Sequence, residues 1–139
     1  MILKEDAIHT TYGELKRVDA LLTPVFTKKL DPRTAYELRE LLIVLRRHLE
    51  PGDKVLQDIQ QRLRNELEEL RVKLDPQVGN EEPSEFAATR AEHQKEADVL
   101  SAVEIVMKDV TSVSLDTLER TGWEFTTFDM ELLGPLVRA

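Results

Sequence analysis

The chain has 139 residues, no cysteine and a formal net charge of −8. That length suits one domain, here read as residues 1–139, and the missing cysteines exclude disulfides and thiolate chemistry. The longest unbroken apolar run, residues 41–45, is far too short to cross a bilayer, and Met1-Ile2-Leu3 passes at once into Lys4-Glu5-Asp6, so neither a membrane anchor nor a secretory signal is expected.

Ile2 and Leu3 suit the start of a short strand. Asp6 then offers an N-cap, and Ile8, Tyr12, Leu15, Val18, Leu22 and Val25 follow at steps of three and four. This spacing predicts a first helix over about residues 6–27. Thr10, Thr11 and Gly13 weaken it, Pro24 bends its last turn, and Lys28 and Lys29 complement its dipole. The connector to Asp31 is so short that the first two helices should pack antiparallel as a hairpin.

The second helix dominates the sequence. Asp31 is a natural N-cap and Pro32 fits the first helical position. Apolar residues then recur at Leu38, Leu42, Leu45, Leu49, Leu56, Ile59, Leu63, Leu67, Leu70 and Leu74. The alternating steps of four and three make a heptad seam. Pro51-Gly52 interrupts the composition, yet Gly52 falls on the seam between Leu49 and Leu56 and the phase survives. A kinked continuous helix over residues 31–74 is therefore favoured over two helices and a tight turn. At ~65 Å it would be longer than a compact domain of this size is wide. Its first part, with the run Leu41-Leu42-Ile43-Val44-Leu45, should be buried on several sides. Beyond it only the narrow stripe Leu56, Ile59, Leu63, Leu67, Leu70 is apolar, a stripe that needs one partner helix. Helix one, a later helix or a second copy would serve.

Residues 75–85 are polar, with two prolines and a glycine, and read as a loop. Ser84 is placed to cap a third helix to about residue 100, with Phe86, Ala87, Ala91 and Leu100 as sparse apolar positions and a polar, exposed middle. The period then changes. Val103, Ile105 and Met107, then Val113 and Leu115, alternate with other residues and predict two strands with a turn near residues 109–111. Residues 116–120 suit a helical turn closed by Gly122. Thr127 is placed to cap a last helix over residues 128–133, stopped by Gly134-Pro135. Trp123, Phe125 and Phe128 are expected to anchor this β-containing part, residues 101–139. The fold class is α+β, mostly α: a long helical hairpin, a third helix, a small antiparallel sheet and a short C-terminal helix.

No phosphate-binding glycine loop, nucleophile elbow or zinc-binding His pair occurs in the sequence. No catalytic residue, metal ligand or cofactor is expected, and the protein is read as not an enzyme. His93 with Glu92 and Glu96 is the best metal candidate, but ligands from one polar helix do not complete a site, and a solvated helix face explains them. Residues 1–80 carry 14 acids and 14 bases, whereas residues 81–139 carry 13 acids and 5 bases. The imbalance in the second half opposes phosphate backbones, so direct nucleic-acid binding is not expected. Glu81, Glu82, Glu85, Glu92 and Glu96 form a candidate acidic surface for a basic partner. Arg33, Arg39, Arg46 and Arg47 give the long helix a basic flank, best satisfied by the acidic half of the chain or of a neighbour.

The approach Leu30-Asp31-Pro32-Arg33-Thr34-Ala35-Tyr36-Glu37-Leu38, the heptad helix, the polar loop, Val103-Glu104-Ile105-Val106-Met107, Val113-Ser114-Leu115 and the close Asp129-Met130-Glu131-Leu132-Leu133 together resemble small uncharacterised proteins of tailed bacteriophages. Pro51-Gly52 departs from the uninterrupted long helix of that group. The resemblance implies a virus-encoded origin, in the host cytoplasm or the virion, and carries no catalytic residue. Two expectations follow. The first is a structural or assembly accessory that forms a homo-oligomer through Leu56, Ile59, Leu63, Leu67 and Leu70. The second is a regulator whose acidic half occupies a basic site on a host protein, in the transcription machinery or a defence nuclease, or on a basic virion protein.

Overall fold

In a computed structural model, the structure describes residues 1–74 and 84–139. Most of the loop expected over residues 75–85, with Glu81 and Glu82, lies outside the described residues. Two units are distinct: Met1–Glu50 with Ala102–Ala139, and Pro51–Ser101.

The first unit opens with β1 (Ile2–Lys4) and β2 (Ala7–Thr11), an antiparallel hairpin whose two loop residues, Glu5 and Asp6, take φ of 54° and 60°. Two residues at positive φ are the type I′ geometry that matches the twist of a hairpin. Asp6 is thus a turn residue and not a helix cap. The helix expected over residues 6–27 is shorter at both ends. Its first turn is strand β2, and α1 covers only Tyr12–Leu22. Thr11 caps α1, its hydroxyl accepting from the Glu14 N–H at 3.2 Å. A 3₁₀ turn, Thr23–Thr27, takes over where Pro24 removes a backbone donor.

α2 runs from Pro32 to Leu74 as one helix with Pro51 inside it. The cap is the expected one: Asp31 accepts from the Thr34 N–H at 3.0 Å and from the Thr34 hydroxyl at 2.7 Å. Arg46 donates to Asp19 at 3.2 Å and to the Thr23 hydroxyl at 3.2 Å, tying α2 to the end of α1 in an antiparallel hairpin. Leu15, Val18 and Leu22 of α1 and Leu38, Leu42, Leu45 and Leu49 of α2 are buried in this unit. The run at residues 41–45 is not buried all round. Leu41, Leu42 and Leu45 point inward, while Ile43 is 38% exposed.

β3 (Glu104–Met107) completes an antiparallel sheet of order β1-β2-β3, with Ile8 opposite Met107 and Thr10 opposite Ile105. Ile8, Thr10 and Met107 are buried on the inner face. β4 (Val113–Ser114) does not fold back on β3 as the sequence suggests. It pairs in parallel with β5 (Val137–Arg138), a separate two-stranded sheet. Between them lie α4 (Leu115–Arg120), capped by Ser114, and α5 (Thr127–Leu133). The α5 cap is Thr126, one residue before the expected Thr127, because Asp129 at the third helical position returns a carboxylate to the Thr126 N–H and completes a capping box.

Three carboxyls of this unit are held below the ordinary carboxylate range. Donation from the Thr34 N–H and hydroxyl does so for Asp31, the Thr117 hydroxyl for Glu37, and the His48 ring for Asp109. Each proton is therefore held less tightly folded than unfolded. The stability these groups contribute is present above the ordinary carboxylate range and is lost as pH falls through it. Unfolding should accordingly become easier below about pH 5. Thr117 is fully buried, so Thr117→Val keeps its shape and removes the donor to Glu37. The variant is expected to lose about 1 kcal/mol at pH 7 and to show a flatter acid limb. An unchanged limb in urea titrations from pH 3 to 7 would reject the assignment.

Candidate interaction site

The second unit is a helical hairpin. The second half of α2 faces α3 (Ser84–Ser101), and two side-chain contacts set the register: the ion pair of Arg62 with Glu96 at 2.8 Å and the approach of Glu66 to His93 at 3.3 Å. The position numbers rise on one helix as they fall on the other, so the helices are antiparallel. The narrow stripe thus has a partner within the same unit. Ile59 is buried, while Leu56, Leu63, Leu67 and Leu70 are only half-buried. Their incomplete cover follows from what α3 offers. Its inward positions are Phe86, Thr89, His93, Ala97 and Leu100, with a large apolar residue only at each end. Ala87 and Ala91, expected on the apolar face, are exposed.

His93 corrects the sequence reading most sharply. It is not on a solvated face but 6% exposed, in the middle of the α3 inner side. Its Nδ1 lies 2.8 Å from the Thr89 carbonyl, which an N–H there donates to. Nε2 is buried and, among the described residues, has no hydrogen bond of acceptable geometry, although the Glu66 Oε2 lies 3.3 Å away. The spacing Phe86–His93–Leu100, seven and seven, was the available signal that a histidine sits in an apolar row. Among the described residues no group of three or more His, Asp or Glu side chains could hold a metal ion.

The acidic residues do not all stand free for a partner. Glu85 and Glu92 are exposed on α3, but Glu96 is held by Arg62. The basic flank of α2 also meets other acids than expected. Arg33 pairs with Glu37 and Arg46 with Asp19, and among the described residues it is Arg47 and His48 of this flank that reach the C-terminal part, both at Asp109.

The first unit carries two grooves. One, of about 340 Å³, is lined by Tyr36, Glu37, Leu41, Val44, Asp109 and Val113 among others. Its carboxylates are engaged: Glu37 by Thr117 and Arg33, Glu40 by Arg39 at 3.8 Å, and Asp109 by His48 at 2.7 Å. The other, of about 490 Å³, lies between the 3₁₀ turn and α2, with Phe26, Leu42 and Ile43 as apolar lining and Arg39 and Arg46 at its rim. Trp123 is half-buried beneath the Lys28 ammonium, 5.2 Å from the ring centre. Phe128, expected to anchor its segment, does not. It is 81% exposed, the most exposed large apolar side chain among the described residues.

Among the described residues, no helix is long and apolar enough to cross a membrane. No family model, curated protein or solved structure matches the chain.

Proposed function

We propose that the chain is a non-enzymatic, phage-encoded protein that works by protein–protein interaction, as a structural or assembly accessory in the host cytoplasm or the virion. Its origin in this reading rests on the likeness of its sequence pattern to small phage proteins. The observation that carries the interaction role is the leucine stripe of α2. Leu56, Leu63, Leu67 and Leu70 recur on one face and remain half-open beside a helix that offers Thr, His and Ala at its centre. A row of half-covered leucines at heptad spacing is completed by another helix, and a second copy of the same stripe supplies one. The acidic-surface role draws less support, because Glu96 already pairs with Arg62 within the unit.

Burial decides which substitutions test this. Ile59 is a core residue of the hairpin, so a charge there would unfold it. Leu67→Glu with Leu70→Glu puts charges at half-open positions instead. The double variant is expected to keep its helical circular dichroism and to lose oligomer mass in light scattering. The same mass for both proteins would reject association through the stripe.

A further inference from the structure

The first unit carries a second self-complementary pair of surfaces, separate from the stripe. On α5, Phe128 stands 81% exposed, and Glu131, one helical turn on, lies exposed on the same side. Glu124 is exposed just before the helix. This is an aromatic knob in an acidic setting. The groove between the 3₁₀ turn and α2 is its opposite in shape and charge. Phe26, Leu42 and Ile43 line it, and Arg39 and Arg46 edge it. Arg46 is held in place by Asp19 and Thr23, while Arg39 is more than half exposed and its nearest carboxylate, Glu40, is 3.8 Å away. At about 490 Å³ the groove is in the range of sites that take small organic groups.

We infer that the groove is a docking site for a second copy of this chain, which inserts Phe128 between Arg39 and Arg46. The occupant follows from complementarity. The phenyl ring needs an apolar pocket, and its edge and face both tolerate a guanidinium beside it. Glu131 and Glu124 bring the negative charge that two rim arginines favour. Aromatic side chains, phenylalanine among them, are enriched at the cores of interfaces relative to the rest of the surface. The knob does not fill the groove of its own chain while 81% exposed, so a second copy offers both the ring and the acidic setting that the groove lacks.

Sedimentation velocity on the full chain tests this, in the Leu67→Glu, Leu70→Glu background so that stripe association does not contribute. The expected result is concentration-dependent association that weakens from 50 mM to 500 mM salt. Phe128→Asp should raise the dissociation constant about 30-fold. Arg39→Glu and Glu131→Arg should each weaken association and together restore it. All three positions are exposed, so folding should be unchanged by circular dichroism. A protein that stays monomeric in this background at the highest concentration would overturn the inference. So would a dissociation constant that Phe128→Asp leaves unmoved. Neither result bears on the stripe, whose own test is the mass of the chain with and without Leu67→Glu and Leu70→Glu.

Discussion

Leu45→Ala should destabilise the unit Met1–Glu50 with Ala102–Ala139 by about 2–5 kcal/mol, whereas Ile43→Ala, two residues earlier in the same apolar run, should cost under about 1 kcal/mol. Leu45 is 0% exposed in the buried row Leu38, Leu42, Leu45, Leu49. Truncating it removes buried methyl groups and leaves a cavity in a close-packed core that relaxes only partly. Ile43 points away from that row and already meets solvent, so little burial is lost. Since domains are typically stable by only about 5–15 kcal/mol, the first variant should be close to unfolding on warming and the second should not. Trp123 is the only tryptophan and belongs to this unit, so its fluorescence during guanidinium unfolding reads the effect directly. Equal midpoints for the two variants would contradict the burial assigned to α2.

The same pair of residues shows how much the sequence reveals. The heptad rows of α2, its Asp31-Pro32 start and the β period near Val106 are strong local signals, and all appear in the structure. What is hidden depends on partners far along the chain. Ile8 and Tyr12 sit four apart, like residues on a helix face, yet residues 7–11 are the central strand. Their backbone pairs on one side with residues 2–4 and on the other with residues 104–107. The hairpin turn gave no warning either, because Glu5-Asp6 is not one of the glycine-containing pairs that usually mark a type I′ turn. Phe128 looks like a core residue by type, and only the packing of α5 on its other side leaves it in solvent. For the stripe, the sequence shows the leucines but not their cover. The inner face of α3 contains too few large apolar residues for periodicity to announce it.

That poor face leads to the second large effect. His93→Leu is expected to stabilise the α2–α3 hairpin by about 1–3 kcal/mol, the usual cost of a buried polar atom left unsatisfied. In His93 an N–H at Nδ1 serves the Thr89 carbonyl, while the buried Nε2, 3.3 Å from the Glu66 carboxylate, has no hydrogen bond of acceptable geometry among the described residues. That ring nitrogen is left unsatisfied at a site where water is excluded on the histidine side. Leucine removes that nitrogen and places an apolar side chain in the row between Phe86 and Leu100. Glu66 is about half exposed and keeps its hydration, so no new buried charge is created. Amide exchange in α3 should slow by roughly 5–30-fold for a gain of one or two kcal/mol. Faster exchange would show that the His93–Glu66 pair is a net attraction. The consequence for function follows from the same packing. A histidine in this row keeps α3 a weak cover for Leu63 and Leu67, and under the proposed self-association that leaves the stripe for another helix. If that is its role, His93→Leu should tighten the hairpin and weaken self-association together, and a gain in both would separate the histidine from the stripe.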